Sequence, residues 1–151
     1  MPGWKGHLAG ALVVGGLGVF AALAFGVYLK GEWEVLAALM AFCLLGALFP
    51  DVDTDSMGQR LYYLALAVVD AFLLYEQRWE WAAWLGFLAL LPPMSPHRGW
   101  THTWWAMLLV PAPIVLVPWL VLGHAFATFL PVYAAFVLGY FSHLLLDRQF
   151  R

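Results

Sequence analysis

Read for the order of apolar and polar positions, the chain falls into six long apolar runs separated by short polar margins. The runs lie at about residues 7–29, 33–49, 61–75, 81–91, 103–122 and 125–146, and each predicts a transmembrane helix. The first is rich in Gly, Ala and Val, with Gly6, Gly10, Gly15 and Gly16 offering smooth faces for close helix approach. Pro50 ends the second run and Pro92-Pro93 the fourth, because proline cannot continue the hydrogen-bond ladder. The third is short for a span, which calls for local bilayer thinning or anchoring by its polar flanks. Ser56 and Gln59 just ahead of it have the spacing of a capping box. Pro111, Pro113 and Pro118 predict a kinked or interrupted fifth helix. The margins at residues 30–34 and 76–81 combine charge with tryptophan, as membrane interfaces do. Ala22-Leu23-Ala24 looks like a signal-peptide cleavage site, but the apolar run continues past it to Tyr28, so the first run is read as a retained helix.

Composition turns this pattern into a class. Of 151 residues, 64% are hydrophobic and only 11% charged, and the mean hydropathy is +0.83. That is more apolar surface than a soluble core of this length hides. The expectation is one all-α, polytopic membrane bundle over residues 1–151, embedded in the cell (inner) membrane. A formal net charge of -2 gives no basic field for nucleic acid. The single cysteine, Cys43, excludes an intramolecular disulfide.

Counting crossings gathers the polar residues. If each run crosses once, residues 1–7, 50–60, 92–102 and 147–151 share one side of the bilayer, and residues 30–34, 76–80 and 123–124 the other. The first side then holds His7, Asp51, Asp53, Asp55, His97, Arg98, His102 and Asp147, with His143 just inside it. It also holds Lys5, Arg60, Arg98, Arg148 and Arg151 against Lys30 and Arg78 opposite, so the positive-inside bias places both termini and the polar cluster in the cytoplasm.

The clustered residues have ligand chemistry. His143 and Asp147 are four apart on a helical run and project from one face, a metal-ligand spacing and equally that of a helix-end pair. Asp51, Asp53 and Asp55 offer loop carboxylates for divalent ions. They do not form an EF-hand, since Ser56 and Tyr62 stand where its glycine and terminal glutamate belong. Ligation is favoured for Asp51 and Asp53, and capping for Ser56. His97 and His102 are five apart, roughly 140° around an ideal helix, so they share a target only if the chain around Gly99 is not helical. Arg98 between them is a planar fork suited to phosphate or carboxylate oxygen. The first-side set of His7, Asp51, Asp53, His97, His102, His143 and Asp147 is large enough for two divalent ions. Zinc suits the mixture of imidazole and carboxylate, with manganese or iron as alternatives. His124 reads as an ordinary interfacial histidine, and Asp70 as an interhelical or interfacial partner.

Four elements together resemble the YdjM-type family of membrane-bound metal-dependent hydrolases. They are His7, the Phe49-Pro-Asp51-Val-Asp53 stretch followed by Ser56, the His97-Arg98-Gly99-x-Thr101-His102 motif, and Ser142-His143-x-x-x-Asp147. The resemblance implies a metal-hydrolase role and a distant kinship with zinc-dependent phospholipases C and related zinc nucleases. Thr54-Asp55 departs from the pattern, because relatives often carry a histidine there. The expected chemistry is attack of metal-activated water on a phosphoester of a lipid or lipid-linked substrate. Asp51 or Asp53 would bridge ions or accept the proton, and Arg98 with Arg60 would neutralise the phosphoryl oxygens. The rival expectation is a divalent-cation carrier or sensor using the same ligands, for which intramembrane Asp70 and the prolines of the fifth run are the only hints.

Overall fold

The computed structural model describes residues 3–24, 33–90, 92 and 99–148, and among these every regular element is helical. In chain order they are α1 (Trp4–Ala24), α2 (Trp33–Leu48), a 3-10 turn (Phe49–Asp53), α3 (Met57–Tyr75) and α4 (Trp79–Leu90). A second 3-10 turn (Trp100–His102), α5 (Trp104–Leu109), α6 (Pro113–Leu120) and α7 (Phe126–Asp147) follow. The helix through α1, the stretch Trp33–Asp53, α3 and α7 are each long and apolar enough to cross a membrane. Large apolar side chains such as Phe20, Leu64, Phe72, Trp84 and Leu120 stand exposed around the bundle, as they would against lipid.

The departures from the predicted boundaries have local causes. The third helix starts four residues before its apolar run because Ser56 caps it, its hydroxyl accepting from the Gln59 N–H at 3.0 Å. Its first turn is polar and invisible to hydropathy. At roughly 1.5 Å per residue the 19 residues of α3 come close to the thickness of a bilayer core, so the expected thinning is unnecessary. The fifth run is interrupted as its prolines require, with α5 and α6 separated around Pro111 and Pro113 opening α6. The fourth helix has only 12 residues, too few to span the core unaided.

The bundle is centred on α2, which packs against both α7 and α1, while α3 pairs with α4 and α6 with α7. The closest approach is between α2 and α7. A Cβ added at Gly139 would lie 1.8 Å from the Cys43 carbonyl oxygen, and one at Gly46 would lie 2.1 Å from that of Phe136. Both glycines are therefore fixed by backbone contact. The glycines of α1 act less tightly: Gly10 faces Leu146, Gly15 faces Met40 and Cys43, and Gly16 faces open space. Toward the end of the bundle where α2 and α7 finish, Phe49 anchors an aromatic core of Tyr62, Trp100, Phe136 and Tyr140. This core holds both 3-10 turns against α7, and those turns carry Asp51 and His102.

Candidate metal centre

Four residues from three separate stretches converge at that end. One ligand atom from each of Asp51, His102, His143 and Asp147 lies within 4.8 Å of all the others. The His102 and His143 Nε2 atoms are each 3.6 Å from Asp51 Oδ1. His143 Nε2 is 3.8 Å from Asp147 Oδ2 one helical turn on. His7 enters from α1 with its Nε2 3.4 Å from Asp147 Oδ1, and its ring stacks on that of His143 at 3.7 Å. The two Asp147 oxygens thus face different histidines. His7, His102, His143 and Asp147 are all buried, and only Asp51, with 24% of its side chain exposed, opens toward solvent.

Local sequence explains the convergence. Pro50 turns the end of α2 into a 3-10 segment and so brings Asp51 across the end of the bundle. The 3-10 partner of the Ala47 carbonyl would be residue 50, a proline with no N–H to give. That carbonyl accepts from His143 Nδ1 instead, at 2.7 Å. A carbonyl can only accept, so Nδ1 carries the proton and Nε2 presents a lone pair. On α7 the Tyr140 hydroxyl donates to the Thr101 carbonyl and ties the His102 turn to the same helix. Arg148, in a left-handed conformation, closes α7 directly after Asp147.

The residues fit a divalent cation. His143 Nε2 is an electron-pair donor facing Asp51 and Asp147, both acceptors when ionised. Among the described residues His143 Nε2, His7 Nδ1 and Asp147 Oδ1 make no hydrogen bond. Buried groups of this kind are expected to be paired or to hold a metal. Bonds of about 2.0–2.2 Å in tetrahedral array set ligand atoms roughly 3.3–3.6 Å apart, near the separations found here. Two carboxylates among the imidazoles supply the negative charge that such an ion needs.

The structure therefore brings together His7, Asp51, His102, His143 and Asp147 from the predicted ligand set. Asp53 is close by but outside the group of four; its Oδ2 receives the Thr101 hydroxyl at 3.3 Å. Arg60 is not brought to the cluster: it is 69% exposed and pairs with Asp55 at 3.4 Å. His97 and Arg98 lie outside the described residues. Sequence reasoning missed the Ala47 carbonyl and Tyr140. The proline at residue 50 was the available signal for the first, and nothing in the spacing pointed to the second.

The profile of the YdjM inner membrane protein family matches residues 4–149, nearly the whole chain. The chain belongs to this family. Neither the curated proteins nor the solved structures contain a significant match. The YdjM description as an inner membrane protein agrees with the apolar helices. The matched span contains every candidate ligand described here, from His7 on α1 to Asp147 at the end of α7.

Proposed function

We propose that this YdjM-family protein is a metal-dependent hydrolase acting on a phosphoester of a lipid or lipid-linked substrate at the membrane margin. The observation that carries the reading is the buried group of Asp51, His102, His143 and Asp147, with ligand atoms within 4.8 Å of one another. These four residues would hold a divalent ion, with zinc favoured by the mixture of imidazole and carboxylate. When bound, such an ion supplies a Lewis acid and lowers the pKa of water toward neutrality. His7, whose Nε2 is 3.4 Å from Asp147 Oδ1 and which lies outside the group of four, would serve a second ion.

The remaining steps belong to the chain. Asp51 is the partly exposed member of the group, so substrate would reach the site past its carboxylate, which would also accept a proton from attacking water. Arg98, beside Gly99 in the sequence, would neutralise charge on the phosphoryl oxygens. Because it is engaged with Asp55 at the surface, Arg60 has no part in this scheme. The cluster lies where α2 and α7 end, among Phe49, Trp100 and Tyr140, a setting that suits an amphiphile with its phosphate at the interface. By the positive-inside bias this margin is cytoplasmic.

Purified protein loaded with zinc should release phosphate or a phosphorylated headgroup from lipid phosphoesters, and His102→Ala or Asp147→Ala should lose metal and activity together. Full activity in a metal-free His102→Ala protein would exclude the mechanism. A divalent-cation carrier is the second reading, favoured by the interruption between α5 and α6. Metal flux into sealed vesicles without phosphoester cleavage would select it.

A further inference from the structure

His102 poses a question that His143 does not, because its Nδ1 faces a hydroxyl rather than a carbonyl. The Thr101 Oγ1 lies 3.2 Å from His102 Nδ1, and a hydroxyl both donates and accepts. Either nitrogen of the ring could then carry the proton, and only one choice gives Nε2 a lone pair for a cation. The ambiguity is removed one residue further out. Thr101 Oγ1 is also 3.3 Å from Asp53 Oδ2, and an ionised carboxylate only accepts. A hydroxyl has one proton, and Asp53 takes it. The oxygen lone pair is left to accept from His102, so Nδ1 is protonated and Nε2 points its lone pair at the Asp51 side of the cluster, where Oδ1 is 3.6 Å away.

We propose that Thr101 and Asp53 are positioning residues which hold His102 in the tautomer that presents Nε2 to a divalent cation, with Asp53 acting through Thr101 rather than as a ligand. The surroundings suit a fixed relay. Thr101 is fully buried, its carbonyl is held by the Tyr140 hydroxyl, and its turn is closed by the His102 N–H to the Gly99 carbonyl at 3.3 Å. The arrangement parallels that of His143, whose Nδ1 proton goes to Ala47. Two imidazoles from different elements thus reach Asp51 with the same edge, each oriented by a hydrogen bond on its far side. The proposal also gives Asp53 a role consistent with its place outside the group of four. It rests on the metal-binding part of the proposed function and not on hydrolysis.

The test uses full-length protein in detergent, labelled with 15N-histidine. In zinc-loaded wild type, His102 should show a protonated Nδ1 with a protected proton signal and Nε2 on the metal. A ring with bare Nδ1 and protonated Nε2 would overturn the proposal, whatever the protein hydrolyses. Thr101→Val keeps the shape and removes the relay, and should raise the zinc dissociation constant about 10–100-fold, as loss of an orienting partner does elsewhere. Thr101→Ser should restore wild-type binding, and Asp53→Ala should match Thr101→Val. The double variant Thr101→Val/Asp53→Ala should be no weaker than the poorer single, because both changes break one relay. Additive losses, or Asp53→Ala abolishing zinc while Thr101→Val leaves it intact, would make Asp53 a direct ligand and refute the assignment. Unchanged size-exclusion and circular-dichroism profiles identify the folded variants, and the serine rescue provides the comparison if valine fails to fold.

Discussion

Gly139→Ala tests how far the metal centre depends on the crossing of α2 and α7. The added Cβ would sit 1.8 Å from the Cys43 carbonyl oxygen, 2.7 Å from its carbon and 3.0 Å from the Ala47 nitrogen. Real Cβ atoms essentially never approach closer than 3.0 Å, so the 1.8 Å contact must open by at least 1.2 Å. All three neighbouring atoms are α2 backbone, and no side chain can rotate away to absorb the change. One turn further along the same crossing is the His143 Nδ1 bond to the Ala47 carbonyl, 2.7 Å long. A shift of that size takes it beyond hydrogen-bonding range. Overpacking costs about 1–3 kcal/mol, and the lost bond adds about 1 kcal/mol. For a chain of this length that predicts a fall in Tm of roughly 5–15 °C. Zinc affinity should fall about 10–100-fold once His143 loses its orienting partner. Thermal unfolding in detergent and competition against a chromophoric chelator measure the two effects. Gly16→Ala is the control, because nothing lies within 4 Å of its added Cβ. Wild-type melting and wild-type zinc affinity in Gly139→Ala would refute this account of the crossing.

Other outcomes follow from the same geometry. His7→Ala should halve the zinc bound at saturation, since His7 pairs with Asp147 Oδ1 from outside the group of four, and elemental analysis checks the ratio. Arg60→Ala should leave zinc binding and hydrolysis at wild-type levels and shift stability by no more than about 1 kcal/mol, the ceiling for an exposed ion pair. A large loss of turnover would return Arg60 to the site. Ser56→Ala removes the α3 cap and should cost about 1 kcal/mol, visible as a lower Tm, while Ser56→Asp should retain wild-type stability.

Much of the architecture was legible because bilayer helices are written in long apolar runs, and the prolines mark their breaks. Pro50 signalled the end of α2, and Pro111 and Pro113 the gap between α5 and α6. Hydropathy failed at the start of α3, where Met57-Gly-Gln-Arg60 is a polar helical turn held by a serine cap. Even-handed threading of the runs was enough to bring His7, Asp51, His102, His143 and Asp147 to one end. The division of labour between Asp51 and Asp53 was not legible. Both carboxylates are in the same short turn, and only the fold shows that one faces the histidines while the other faces Thr101. The setting of Arg60 was hidden for a related reason: charge and side were visible in sequence, but its engagement with Asp55 was not. The contacts of Gly46 with Phe136 and of Gly139 with Cys43 were equally hidden, since a lone glycine in an apolar run does not say which helix it faces.

The central claim is that histidine and aspartate side chains from the turn after α2, the turn before α5 and α7 share one metal ion. X-ray absorption spectroscopy of the zinc-loaded protein measures this directly. The account predicts a mixed nitrogen and oxygen shell at about 2.0–2.2 Å with imidazole scattering in the wild type, and no retained zinc in His102→Ala. An all-oxygen shell without imidazole scattering, or zinc that does not survive desalting, would contradict it.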